Sequence, residues 1–392
     1  MRGKRIVLTN QKVYAIVLVI LILLQAYSIF NISNTAIEQR VIILTAIGSL
    51  IMLFVNYKVI GSTWNFLILL MCVGALIITC LLHSGLGSAL MAFNLLVFAT
   101  VFNNIGISQT LYRVIHILCA IFLTYYLLII DMSTAYSTTV LDKFGNRLNT
   151  NVVALWALAA LLHWVSFLYT QETKRWLKGV IFVLLSVFAG YYIIKCNSRT
   201  ALIALTFFWT LCIFVHKPIR NSTYRKITVA LLLISLLFPI IYIGLIGHIT
   251  NFRFLGKSFF SGRQNVWNDA LEAIKKYPLF GSGNDIMMSN VQGTYTSSSH
   301  NMLLGMWKMF GIIPTFTVAF SLVNNNNTFL GERNRISQFA FLASLLCCFF
   351  ESFYTYSHLY FFFSLFLIAF VRTGNEGEMD SIYMVNELKD QG

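Results

Sequence analysis

Charge is what this chain has least of. Only 11% of its 392 residues are charged, and Asp and Glu together number 14, where a soluble domain carries about 25% charged residues. Hydrophobic residues make up 58%. So apolar a chain cannot gather its side chains into one core and still cover its surface with polar groups. A soluble enzyme and a disordered protein are both excluded. Also missing is any Cys-x-x-Cys pair. Cys72, Cys80, Cys119, Cys196, Cys212, Cys347 and Cys348 lie mostly in apolar runs. They read as small buried side chains, with neither a disulfide framework nor a zinc site in view. No internal repeat or heptad array appears, and Asn324–Asn327 is a polar loop. What remains is a polytopic membrane protein.

Apolar runs long enough to cross a bilayer, or nearly so, occupy residues 12–30, 41–56, 64–82, 86–102, 112–131, 152–170, 177–195, 200–215, 227–248, 300–323, 336–355 and 357–371. Several are shorter than the roughly 20 residues of an upright span. Backbone amides in lipid must be paired within their own segment, so the expectation is an all-α integral membrane protein with about twelve helices. The charged start Arg2-Gly3-Lys4-Arg5 has no convincing cleavage site behind it, so the first run reads as an uncleaved membrane helix. With both termini in the cytoplasm, most of the 28 Lys and Arg residues fall on the cytoplasmic side, as topology requires. The net charge of +14 is then topological, and no nucleic-acid partner is expected. Residues 1–371 form the membrane domain, with an extracytoplasmic loop at 249–299. Residues 372–392 form an acidic cytoplasmic tail. A second outer loop covers 132–151.

Several polar residues break the pattern at the outer face. Ser261 and Gln264 are spaced as a capping box. Trp267, Leu271 and Ile274 follow at helical spacing until Pro278, so a short amphipathic helix is expected over 262–276. Arg263 sits in its first turn, where free N–H groups already attract anions and a guanidinium adds a fork for phosphate oxygens. A solvated surface Arg fits the same position. Gly281-Ser282-Gly283-Asn284 reads as a tight turn rather than a phosphate loop. His300-Asn301 opens the tenth run; a histidine there can accept a proton or can simply cap a helix. Lys308, two turns further on, and Glu351, inside the eleventh run, are ionisable groups in apolar sequence. Such groups usually face a polar cavity or each other. Lys195 and Arg199, four apart, crowd two positive charges on one face if a helix runs through them. Together these residues make a positive site with one titratable base, suited to a lipid-linked diphosphate.

Three segments also resemble a known family. Ser198-Arg199 before TALIAL, the stretch GRQNVWNDALEAIKKYPLFGSGND and the stretch HNMLLGMWKMFGI are similar, in order and spacing, to the signatures of the O-antigen ligase and O-antigen polymerase superfamily. Asn149-Thr150-Asn151 is a weaker match, and Pro314 departs from the pattern. The resemblance implies a GT-C-like, inverting, metal-independent membrane glycosyltransferase that needs no cofactor. Its donor would be a glycan on undecaprenyl diphosphate. By matching position, His300 would deprotonate the acceptor hydroxyl, while Arg263 and Arg199 would hold the diphosphate. Lys195, Ser198, Trp267, Asn301, Lys308 and Glu351 would contribute to substrate binding.

Within that family, a polymerase that extends a lipid-linked glycan is favoured over a ligase that transfers it to a lipid A core. Membrane lipid and a chain-length regulator would be partners, in the bacterial inner membrane. A flippase for lipid-linked glycans is the alternative of another class. It would be expected to show related halves and midplane charges.

Overall fold

The computed structural model describes residues 2–31, 34–55, 64–83, 86–104, 106–135, 139–243, 253–254, 257–258, 263–289, 295–296, 299–323, 332–351 and 372–374. The expected last span at 357–371, residues 352–355, Ser261, Asn324–Asn327 and all of the acidic tail beyond 374 lie outside them. The chain is mostly helical. Helices α1 (Arg2–Phe30), α2 (Thr35–Val55), α3 (Trp64–Leu82) and α4 (Leu86–Asn104) come first. Then come α5 (Gln109–Leu128), α6 (Thr150–Leu168), α7 (Arg175–Lys195), α8 (Arg199–Phe214) and α9 (Asn221–Ile241). The last four are α10 (Arg263–Lys276), α11 (Met302–Phe310), α12 (Ile312–Val323) and α13 (Glu332–Cys347). Five of the described helices, α2, α5, α6, α7 and α9, are long and apolar enough to cross a membrane, and six shorter apolar helices accompany them. This is consistent with an all-α membrane protein.

Burial ranks the helices. α6 is buried on nearly every side, while α7 and α9 leave most of their surface outward. An apolar helix with an outward apolar face is stable in lipid but not in water, and Leu184, Val187, Ile194, Leu233 and Ile234 form such faces. α5 packs on α6, α6 on α7, α2 on α1 and α4, and α8 on α13. Between α1, α2 and α4, Gln25 donates to Thr45 Oγ1 (3.0 Å), and Ser49 Oγ donates to Asn94 Oδ1 (3.0 Å). Such bonds hold helices together where apolar contact does not distinguish a neighbour helix from lipid.

Three features depart from the expected pattern. The apolar run 300–323 is two helices, because Gly311 adopts φ +82° between α11 and α12. A side chain there would be strained and would also meet the Leu279 carbonyl at 1.9 Å. Pro314 falls in the first turn of α12, where its missing N–H belongs to the set with no helical partner. The helix does not run through Lys195 and Arg199 either. The N–H of Ser198 reaches Ile193 O, that of Asn197 reaches Ile194 O, and Asn197 has φ +49°. This is a Schellman cap, and it ends α7 before Ser198 opens α8. Third, the connection between α5 and α6 is a small antiparallel sheet of β2 (Ile130–Asp131), β3 (Thr139–Asp142) and β4 (Arg147–Asn149). An earlier strand, β1 (Gly106–Ser108), pairs parallel with residues Arg372–Gly374.

Side-chain contacts mark two ends of the bundle. At one, Arg113 reaches Thr170 O, Arg335 reaches His216 O, and Gln338 brackets Ile219. At the other, Tyr192 on α7 donates to Leu127 O at the end of α5 (2.9 Å), and the end of α3 meets the segment after α10. The second end carries the candidate site.

Candidate functional site

α10 opens at Arg263, in agreement with the expected 262–276, and its apolar stripe Val266, Trp267, Ala270, Ala273 and Ile274 is buried. Trp267 is fully buried and donates through Nε1 to Ser299 O (2.9 Å). Asp269 accepts from both the N–H and the hydroxyl of Ser289 (2.8 Å each). These contacts fix where the first turn of α10, and so Arg263, points.

His300 is held from both sides. Its backbone has φ +49°, a conformation that costs energy for a residue with a side chain and persists only where its surroundings impose it. Before it, Ser299 O is taken by Trp267, and Ser299 Oγ donates to Asn301 O (2.7 Å). After it, Asn301 caps α11 by accepting from Leu304 N (2.9 Å). The Asn301 amide donates to Ser235 O (2.8 Å) and Phe349 O (3.3 Å). Met302 N also donates to Cys348 O (2.9 Å). The last two bonds bring the segment after α13, with Phe350 and Glu351, against the start of α11.

Glu351 thereby meets two of the three expected catalytic residues. Arg263 Nη2 lies 3.4 Å from Glu351 Oε1, and His300 Nδ1 lies 3.7 Å from Glu351 Oε2. The first distance is a long ion-pair hydrogen bond. The second is electrostatic range only. Arg263 also stands over the Phe350 ring, 5.5 Å from its centroid. Burial lowers the Arg263 pKa and the Glu351 carboxylate opposes that shift; a guanidinium stays charged in any case. Arg199 is near enough to Arg263 for the two charges to act on each other. Four segments distant in the chain thus place two guanidiniums, one carboxylate and one imidazole together.

Other residues singled out by the sequence have different surroundings. Lys308 is fully buried and donates to Gly283 O (3.0 Å), so its partner is the glycine turn rather than Glu351. The N–H groups of Ser282 and Gly283 are used by Lys308 O (2.7 Å) and Met309 O (3.1 Å), as fits a structural turn. Gly281 (φ +70°) allows this approach; a Cβ there would lie 2.4 Å from Met309 backbone atoms. Asn301 and Trp267 are fully buried, and Ser198 is buried at the start of α8. Lys195 is exposed at the end of α7. The parts that sequence reasoning did not find are Ser299, Ser235, Asp269 and Phe350. Only Ser299, polar and next to His300, carried any local signal.

A family model described as O-antigen ligase matches residues 182–319. The match runs from within α7 to α12, includes Arg199, Arg263 and His300, and stops short of Glu351. Over that third of the chain it supports the O-antigen polymerase and ligase superfamily, and the apolar helices are consistent with a membrane protein. No curated protein and no solved structure matches.

Proposed function

We propose that the chain is a polymerase of bacterial surface polysaccharide, O-antigen or capsule. It transfers the growing glycan from undecaprenyl diphosphate to a new lipid-linked repeat unit. The observation that carries this reading is the convergence of Arg199, Arg263, Glu351 and His300. The acceptor hydroxyl gives its proton to His300 Nε2 while its oxygen attacks the anomeric carbon from the face opposite the diphosphate. The bond from that carbon to the diphosphate oxygen breaks, its electron pair leaves with the diphosphate, and the configuration inverts. The Glu351 carboxylate on the Nδ1 side favours the tautomer that leaves Nε2 bare, and it stabilises the imidazolium that forms. Arg263 and Arg199 face the charge that grows on the leaving group. Fixed guanidiniums can supply this stabilisation without a metal ion.

The membrane domain would span residues 1–371 of the inner membrane, both termini in the cytoplasm and the site facing outward, with residues 372–392 as a tail. In this reading Lys195 meets substrate at the rim. Asn301, Trp267, Ser198 and Lys308 act by holding the frame. A chain-length regulator would act beside the enzyme. The second reading, a ligase that transfers glycan to a lipid A core, is favoured by the description of the matching family.

The test is a gel profile of surface glycan from a strain lacking the gene, complemented with the wild type or His300→Ala. Single repeat units still attached, with the ladder lost, mean polymerase. Long chains left on the lipid carrier mean ligase. A normal ladder from His300→Ala together with intracellular repeat units in the deletion strain means a flippase, and ends the transferase reading.

A further inference from the structure

The sheet between α5 and α6 is built more rigidly than a connection needs. Asp142 is 4% exposed, yet every lone-pair direction of its carboxylate is used. Oδ1 accepts from the N–H of Phe144 and of Asn146 (2.9 Å each). Oδ2 accepts from Tyr126 Oη (3.0 Å) and Asn146 Nδ2 (2.8 Å). Gly145 closes the turn at φ +79°. Val140 and Leu148, a facing pair, are buried. The opposite face presents Thr139 paired with Asn149, and Arg147 paired with the half-buried Leu141. The turn holds Phe144 outward, 66% exposed, between exposed Lys143 and Arg147. Asp131, which feels the charge of Lys143, is already bonded to Ser133.

The location narrows what this face can meet. It leads directly into α6, the helix buried on nearly every side. Just before the sheet, Leu127 O at the end of α5 accepts from Tyr192, one turn before Lys195, and Arg199 follows across the Schellman cap.

We infer that the β3–β4 hairpin is a glycan subsite, in which the Phe144 ring takes the C–H face of a sugar ring and Arg147 donates to its oxygens. This rests on the polysaccharide reading above. It adds a second hold on the chain, beyond the residues that bind the diphosphate. Such a hold keeps a growing glycan near the site between transfers. It therefore acts on product length rather than on the bond-forming step.

The experiment uses the full chain carrying Phe144→Trp in nanodiscs of phosphatidylethanolamine and phosphatidylglycerol. The introduced indole is followed by difference fluorescence against the parent. The probe is the polysaccharide released by mild acid from wild-type cells. A saturable spectral change is expected, weakened about tenfold by adding Arg147→Ala, as for the loss of one good contact. In cells, Phe144→Ala should shift the glycan ladder to shorter chains while transfer continues. No response to polysaccharide overturns the subsite. So does quenching by brominated lipid, which would make the hairpin a membrane anchor, and so does an unchanged ladder. These outcomes do not involve His300: an active His300→Ala with a responding hairpin would remove the base assignment alone.

Discussion

Arg263 and Glu351, 88 positions apart in the chain, form a half-buried ion pair with Nη2 and Oε1 at 3.4 Å. The same carboxylate turns its other oxygen to His300 Nδ1 at 3.7 Å. One acid thus faces both the cation proposed to hold the leaving group and the base proposed to activate the acceptor. A substrate diphosphate would compete with Glu351 for Arg263, leaving the carboxylate to the imidazolium as it forms.

Glu351→Gln keeps the shape and removes the charge. A charge-assisted contact is worth about 1.5–3 kcal/mol, so turnover should fall about 10- to 100-fold. Initial rates at saturating substrate check this, with the loss expected in kcat rather than KM. An unchanged kcat would reduce Glu351 to a packing partner of Arg263.

Arg263→Lys keeps the charge and loses the planar fork, so transfer should be strongly impaired although expression is normal. The surface-glycan gel reads this directly. Wild-type ladders from the Lys variant would mean that Arg263 serves Phe350 and the frame rather than a diphosphate.

Lys308→Met tests whether this residue acts on substrate or on structure. Its ammonium donates to Gly283 O and is fully buried, so the variant should lower the thermal unfolding midpoint of the purified protein and leave KM near wild type. A raised KM with an unchanged midpoint would return Lys308 to the binding site.

Gly311→Ala should fail at the folding step. The added methyl would meet Leu279 O at 1.9 Å in a backbone conformation of φ +82°, and the obstacle is backbone that cannot rotate away. Yield of a monodisperse, fluorescent-tagged protein checks it. Normal yield would mean that the α11–α12 break is not required.

The apolar helices were legible because hydropathy is a property of each segment alone, and α10 was legible because Trp267, Leu271 and Ile274 repeat at its period. Arg263 and His300 stood out as polar groups at helix starts. The break at Gly311 did not, since residues on both sides are equally apolar and a φ value leaves no hydropathy signal. The end of α7 was hidden for a related reason: Asn197 supplies the cap that glycine usually supplies. Lys308 and Glu351 each called for a partner in the membrane. Which partner each had depends on contacts across 25 and 88 positions, which no spacing rule reaches. The hairpin at 139–149 read as loop because its strands are short and its turn is organised by one buried Asp.

The most direct test of the catalytic assignment is turnover by purified full-length protein in nanodiscs, given lipid-linked repeat units, with EDTA present throughout. The wild type should form longer lipid-linked glycan under these conditions. His300→Ala should bind the same substrate with similar affinity and lose at least about 100-fold in rate, the share a general base commonly supplies. A His300→Ala rate within a few-fold of wild type would contradict the account.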